Sequence, residues 1–417
     1  MSNKAKTATM KNDGKSALTP KLRFPDFQNA GEWENKPLSA CLDYHQPTPY
    51  LVSDTNYNPA FKTPVLTAGK TFILGYTSEQ HGIFSEDLPV IIFDDFTTAS
   101  QFVDFPFKAK SSAMKILQAK NGANIKFMYE TLQMLSYEVG VHERHWISNF
   151  APMLVSVPKP PEQQKIADCL TSVDELIAAQ ARKVDALKTH KKGLMQKLFP
   201  REGETQPRLR FPEFQDAGEW EEGQITDIGT VLQGYGFPER HQGLKNGDYP
   251  FYKVSDISKS LVAGKVFIEE AANYINENLL KELRAKPIPS GTTIFAKIGE
   301  AIRSNKRVIT TVPCLIDNNA AGIKRKKGKA TDFFVYLTVE QISLIEHAGG
   351  VVPAVNKSAI EAIPVKFPAI EEQQRIADCL TSLDDLIAVQ TQKLGVLKTH
   401  KKGLMQQLFP QVVEDDA

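Results

Sequence analysis

From Ile166 onward the chain places apolar side chains at Leu170, Val173 and Ile177, meets Gln180, and resumes at Val184 and Leu187. The steps alternate four and three, the spacing that keeps one stripe of a helix facing a partner. The stripe skips Lys191 and continues at Leu194 and Leu198. A second copy runs through Ile376, Leu380, Leu383, Ile387, Gln390, Leu394, Leu397, Leu404 and Leu408. Pro160, Pro161 and Glu162 open the first helix, and Glu371 and Glu372 open the second. Proline and acids suit a helix start, where backbone N–H groups lack partners and the dipole favours negative charge. Lys188, His190, Lys191 and Lys192 gather towards the other end, and the proline of "LFP" closes the helix. Gly193 costs roughly 1 kcal/mol relative to alanine, so the first helix is expected to bend or end early there. Each helix would span about 50–55 Å at 1.5 Å per residue. Two near-identical stripes in one chain predict that the helices pair with each other; packing of each on its own domain is the alternative. Gln180 and Gln390 interrupt the stripes at equivalent points, as polar residues that set register do.

The segment 162–200 matches 372–410 at 29 of 39 positions. A shorter phrase, "LRFPDFQNAGEW" at 22–33, returns as "LRFPEFQDAGEW" at 209–220, with 10 of 12 positions identical. The offsets are 210 and 187 residues, so the stretches between the repeats differ in length. They differ in content too: "PVLTAGKTFILGYTSEQHG" has no counterpart in the second half. The chain reads as two constant frames holding two different inserts. The inserts carry strand-like runs, "PVIIFDDF" and "TTIFAKIG", and "MKILQAKNGANIKFMYETLQMLSYEVG" has helical stretches. The fold class is therefore α+β, with two mixed domains joined by two long helices.

Composition bounds the chemistry. With 417 residues, 41% hydrophobic and 24% charged, the chain suits a globular protein of two or three domains. The N-terminus is polar and lysine-rich, without the apolar core of a signal peptide, and a cytoplasmic protein with a disordered lead is expected. Cys41, Cys169, Cys314 and Cys379 form no C-x-x-C pair, which speaks against zinc, and Cys169 and Cys379, the same residue of the repeat, read as two small buried side chains in a reducing compartment. Net charge is only +1. From Leu38 to Val157 there are 8 basic and 11 acidic residues; from Glu221 to Lys366 there are 19 and 16. Neither insert is a general polyanion binder, so any DNA contact must be local or shared with partners.

Catalytic signatures are missing. "AGKT" at 68–71 resembles the end of a phosphate loop, but Pro64 stands where the loop needs its first glycine, and "FILGY" after it suggests a strand. The chain has no [DN]-P-P-[FYW] tetrapeptide, and "NPAF" at 58–61 lacks the second proline. Asp94 and Asp95 have no third metal ligand at nearby spacing and read as solvated or DNA-facing acids.

Two unlike segments are each followed by a helix opened by "PPEQQ" or "EEQQ" and reading "IADCLTS(V/L)D(E/D)LIA.Q..K...LKTHKKGLMQ.LFP". This resembles the specificity subunit of type I restriction–modification systems, across nearly everything beyond about Lys21. The resemblance implies target-recognition domains at 21–157, with the short constant piece, and at 221–366. It implies coiled-coil helices at 158–200 and 367–410, antiparallel and related by a pseudo-twofold. Residues 201–220 are then linker and repeated constant piece, 1–20 a lead and 411–417 a tail. It also implies a non-catalytic subunit that reads a bipartite, asymmetric DNA target with an unread spacer. Its partners would be double-stranded DNA, two methyltransferase subunits and the endonuclease/translocase subunits. S-adenosylmethionine, ATP and Mg would be held by those partners, with no cofactor or metal on this chain. A coiled-coil scaffold for other proteins, which would show no sequence-dependent DNA affinity, and a stand-alone enzyme of another type are the competing readings.

Arginine can meet guanine edges bidentately, lysine commonly takes phosphate, and asparagine suits adenine. In the second insert this nominates Lys297, Arg303, Lys306, Arg307, Asn318, Asn319 and Asn356. The run "KRKKGK" at 324–329 is an exposed basic loop by the same reading. In the first insert the candidates are Lys70, Thr97, Thr98, Lys108, Lys110, Ser111, Ser112 and Arg144. The alternative for each is a solvated turn residue. The stretch "TAGKTFILGY…VIIFDDFTT…FKAKSSAMK" resembles target domains that read a GAA half-site.

Overall fold

The computed structural model describes residues 19–137 and 143–410. The expected lead and tail lie largely outside these residues, as does the end of the "MKILQAK…YEVG" stretch. The chain divides into two compact units. The first holds the described residues up to Ala178 together with those from Val396 onward; the second holds Ala179–Gly395.

In the first unit, strand Val90–Asp94 is buried at its first four positions. Such a run suits a strand covered on both faces. Ile91 and Phe93 face one core with Trp33, Phe127 and Trp146, while Val90 and Ile92 face another with Leu66, Phe107 and Ala109. This strand lies inside a four-stranded antiparallel sheet ordered Leu42–His45, Met114–Ala119, Val90–Asp94, Ser100–Val103. A second sheet orders Ile73–Thr77, Thr63–Leu66 and Lys108–Ala109. Met114–Ala119 is thus a strand, and the helix of that stretch is confined to Ile125–Met134. The helix starts where Asn124 Oδ1 accepts the N–H of Phe127.

The second unit repeats the plan with different residues. A five-stranded sheet runs Gly229–Gln233, Ala320–Arg325, Thr293–Ala296, Arg307–Thr310, Phe267–Ile268. A three-stranded one runs Tyr274–Ile275, Tyr249–Tyr252, Leu315–Ile316. Thr331 caps helix Asp332–Gln341 by accepting from Phe334 N–H. Phe295, Ile309 and Ile323 pack on this helix's side, and Ile294, Val308 and Ala320 pack on the other.

Both frames close by the same devices. Each insert is entered and left through two paired antiparallel strands: Glu34–Pro37 against Leu154–Val157, and Glu221–Gln224 against Pro364–Phe367. The short repeated phrase then grips the start of the long helix. Arg23 donates twice to Glu162, each at 2.7 Å, and also donates to the carbonyls of Ala30 and Gly31. Trp33 Nε1 donates to the same Glu162 at 3.3 Å. Arg210 holds Glu372 in the same fork, at 2.7 and 2.8 Å, and donates to Ala217 and Gly218. The glutamine after each glutamate is buried. Gln163 accepts from Asn124 N–H and donates to Pro158 O; Gln373 accepts from Thr331 N–H and donates to Pro368 O. The repeated "EQQ" is therefore a joint: glutamate to the short phrase, glutamine to the cap of the insert's own helix.

The long helices run Pro160–Leu198 and Ile370–Leu408, 39 residues each. In the second unit Gln180 Nε2 donates to Gln390 Oε1 at 3.0 Å and to its backbone carbonyl at 2.9 Å. Lys191 pairs with Asp384 at 2.9 Å, and Leu198 shares a core with Ile376 and Leu380. Rising numbers on one helix meet falling numbers on the other, so the pair is antiparallel. In the first unit Ile166 and Leu170 pack with Met405, Leu408 and Phe409. The stripe positions are graded. Ile166, Leu170, Val184, Ile376, Leu380 and Ile387 are buried, while Val173, Ile177, Leu187, Leu383, Leu394 and Leu397 are half-buried. The outer turns serve the inserts' cores as well as the helix pair, so both sequence readings of the stripe hold. Gly193 does not end the first helix. Met195, Leu198 and Phe199 beyond it are buried in the second unit's core, and burial at roughly 1.5–3 kcal/mol per side chain outweighs the glycine.

The skipped lysines are part of the pairing. Lys401 meets Asp174 at 2.8 Å and Glu130 at 2.9 Å, and Lys126 meets the same two acids. Burial alone would raise the Asp174 carboxyl, but the Lys126 and Lys401 ammoniums outweigh it and hold the group below its ordinary range. Asp384 goes the other way, pushed up by burial that Lys191 only partly offsets, with Glu340 adding like charge. A depressed carboxyl stabilises the fold above its unfolded pKa and loses that contribution as pH falls through its folded value. Lys401→Met should therefore cost on the order of 1 kcal/mol at neutral pH. The deficit should shrink below about pH 4. Urea unfolding at several pH values checks this, and a pH-independent deficit would contradict it.

Candidate nucleic-acid interface

In the first unit, hydrogen bonds gather four loops. Lys110 N–H donates to Leu66 O, Asp95 N–H to Ala113 O, and His145 N–H to Asp95 O. The turn carrying Lys70, the hairpin turn carrying Thr97 and Thr98, the Lys110–Ser112 connection and Arg144 therefore lie side by side. Lys70, Thr97, Ser111, Ser112 and Arg144 are exposed, and Thr98 and Lys110 half-exposed. Thr98 adopts φ 59°, an uncommon left-handed conformation that closes the hairpin with Thr98 N–H donating to Asp94 O. Lys110 lies over the ring of Tyr57 at 5.7 Å.

Two expected surface groups in this unit, Lys108 and Asp95, turn inward. Lys108 is buried, paired with Glu79 at 2.7 Å and donating to His81 O at 2.7 Å. It braces a loop and has no donor directed at DNA. Asp95 is buried and accepts from Trp146 N–H at 2.8 Å, with Lys115 3.5 Å away. Asp94 Oδ1 accepts from Phe96 and Thr97 N–H, which makes the turn. Among the described residues the acids belong to no metal-ligating cluster; Asp95 is not solvated, and half-buried Asp94 builds the hairpin end that presents Thr97 and Thr98.

In the second unit two adjoining clefts share Ile298. One is lined by Lys297, Glu346, His347 and Asn356 among others, and the other by Lys253, Gln242, Asp317, Asn318 and Asn319. Gly299, with φ 77°, lets the chain turn sharply between them. Asn318 and Asn319 are exposed in the turn between strands Leu315–Ile316 and Ala320–Arg325, and Asn319 N–H is fixed by Asp317 Oδ1 at 3.0 Å. Asn356 Oδ1 caps helix Lys357–Glu361 by accepting from Ala359 N–H, so only its amide N–H edge remains for a ligand. Lys297 donates to Gln233 Oε1, and burial lowers its pKa. Asp317 is raised by burial. Lys253, which the sequence did not single out, donates to Gln242 Oε1 and lies over the Phe237 ring. Its one sequence signal was its place, a lysine at the end of the strand run "YPFY".

Arg307 does not face DNA. It is buried, donates to the carbonyls of Val339 and Ile342 and to Asn305 Oδ1, and is lowered to about 10 by burial. It ties a central strand to the end of helix Asp332–Gln341. Arg303 is exposed beside Glu300, and Lys306 is half-buried against Ser258. The basic run is committed at its start, where Lys324 and Arg325 both meet Asp332, at 2.8 and 3.2 Å, while residues 326–329 are exposed. Among the described residues no three His, Cys, Asp or Glu side chains gather as metal ligands, and no helix is long and apolar enough to cross a membrane.

The family model for the type I restriction modification DNA specificity domain matches residues 217–399. The chain is 32% identical over 371 residues to the type I restriction enzyme EcoR124I/EcoR124II specificity subunit of Escherichia coli, covering 85% of this chain and 87% of that one. The chain belongs to the type I restriction–modification specificity-subunit family. Another relative in the family is the putative type I restriction enzyme MjaX specificity subunit of Methanocaldococcus jannaschii, 27% identical over 61% of this chain and 58% of that one. The fold agrees. The type I restriction–modification S subunit from M. genitalium superposes with a TM-score of 0.61 at 15% identity, covering 94% of this chain and all of that one.

Proposed function

We propose that this chain is the non-catalytic sequence-reading subunit of a type I restriction–modification complex. The supporting observation is that one frame, with the same fork of Arg23 on Glu162 and Arg210 on Glu372, holds two inserts whose exposed loops carry different side chains. Equal frames with unequal readers suit an asymmetric, bipartite DNA target. The first insert would read its half-site, GAA by resemblance, with the loops of Lys70, Thr97, Thr98, Lys110, Ser111, Ser112 and Arg144. The second would use Lys253, Lys297, Arg303, Lys306, Asn318, Asn319 and Asn356. Cation-bearing clefts suit protruding phosphates, and the exposed amides suit base edges. The paired helices would fix the unread spacer and carry two methyltransferase subunits and the endonuclease/translocase subunits. Those partners would hold S-adenosylmethionine, ATP and Mg and perform N6-adenine methylation or cleavage in the cytoplasm.

Methylated adenines should be mapped across the genome of cells carrying the chain with its methyltransferase partner. A two-part motif with a fixed gap is the expected result. Methyl transfer by the isolated chain, or methylation without a two-part motif, would overturn the proposal.

A further inference from the structure

A six-residue turn, Gly349–Ala354, carries the most exposed apolar pair of the second unit's reading side. Val351 is fully exposed and Val352 is 63% exposed. The turn is not loose. Gly349 and Ala354 exchange both backbone hydrogen bonds at 3.1 Å, and Gly350 takes φ 91° at the bend. Its far foot is pinned again, because Gly299 N–H donates to Pro353 O at 2.8 Å and Val355 N–H donates to Lys297 O at 2.9 Å. Two valines are thus held in water on a stiff mount, where neither contributes to the core.

The surroundings narrow what would cover them. The turn's feet line the cleft of Lys297, His347, Asn356 and Glu346, and the cleft of Lys253, Asn318 and Asn319, which also holds Glu239, Glu300 and Asp317, adjoins it through Ile298. A protein partner's apolar pocket would need an apolar rim, whereas this rim offers amines, carboxylates and amides, donors and acceptors of the kind that meet base edges. That mixture matches a duplex, whose groove walls are polar and flanked by phosphates. Within a groove the apolar feature is the C5 methyl of thymine. Wedges that open a base step use Phe, Leu, Ile, Met or Pro, a set without valine. Valine can instead meet a methyl group on the groove wall.

We propose that the Val351–Val352 turn enters the major groove and contacts a thymine methyl in the second half-site, making it a specificity-determining element of that insert. This rests on the sequence-reading function proposed above. The donors and acceptors of the adjoining clefts would then meet neighbouring base edges.

The test uses the chain in its assembled complex and duplexes bearing its mapped motif, with deoxyuridine replacing thymidine one position at a time. Deoxyuridine lacks only the methyl. Wild type should lose roughly 3–5-fold in affinity at one thymidine of the second half-site, the worth of about one buried methyl. The variant Val351→Ala/Val352→Ala should bind the thymidine and deoxyuridine duplexes equally, and its methylation motif should become degenerate at that one position with the first half-site unchanged. The proposal is overturned if every deoxyuridine duplex binds wild type normally, or if the second half-site contains no A·T pair. It is also overturned if the variant loses its partner subunit and keeps its motif, which would make the turn a protein contact. Should the double variant not fold, the deoxyuridine series on wild type still decides whether a methyl is read, and Val351→Thr, which keeps one methyl, links it to the turn. A wild-type complex with no sequence preference at all would instead remove the underlying function.

Discussion

Glu162→Ala should destabilise the first unit by about 3–5 kcal/mol, the usual cost of stranding one partner of a buried ion pair. Glu162 and Arg23 side chains are only 3% and 8% exposed, and the glutamate takes three donor contacts, two from Arg23 and one from Trp33. Its removal leaves a guanidinium facing a void at the helix start. Arg23→Met combined with Glu162→Leu should recover much of the loss, because the penalty lies in the unpaired charge more than in the lost attraction. Gln164→Ala, two residues on and exposed, should stay within about 0.5 kcal/mol of wild type. Urea unfolding of the three variants is the measurement. A single-variant loss below 1 kcal/mol would mean that the fork is ornamental and the neck strands alone hold the frame.

The second large effect is expected at the graded stripe. Leu380 is completely buried among Met195, Leu198, Ile376 and Phe334, whereas Ile177 is half-buried. Leu380→Ala should cost about 2–5 kcal/mol through lost contacts and the cavity left behind. Ile177→Ala should cost well under half as much, since part of that side chain already meets water. Thermal unfolding should rank them in that order, and equal losses would show that the outer turns do not double as insert core. The same ranking should hold for Leu170 over Val173 in the first unit.

What the sequence disclosed and what it hid divide along a physical line. Periodicity is local, so the stripes from Ile166 and Ile376, their interruption at Gln180 and Gln390, and the pairing of the two helices were legible, while the antiparallel sense came with the family resemblance. Depth is not local. Lys108 and Arg307 looked like DNA contacts because a charge in a polar stretch is usually solvated, yet each is satisfied inside by acceptors far along the chain: His81 and Glu79 for one, Val339 and Ile342 for the other. The Arg23–Glu162 fork was hidden for the same reason, being 139 residues apart in sequence. It did leave a trace, because each partner sits inside a repeated phrase and both phrases recur. Asn356 shows a third case: its side chain was visible as polar, but its duty as a helix cap follows only from the turn before Lys357. Lys253 went unnoticed because nothing beside it in sequence marks the cleft that Asn318 and Asn319 complete from 65 residues away.

The paired neck strands have a consequence for heredity. Because Pro37 lies opposite Leu154, and Gln224 opposite Pro364, each insert begins and ends at neighbouring points of its frame. An insert of another length or sequence can occupy the same opening so long as its two ends meet there, as these two already do. The bordering phrases, identical at 10 of 12 and 29 of 39 positions, give both openings the same edges. A gene rearrangement that replaced one insert whole would therefore leave the frame intact, and with it the other insert.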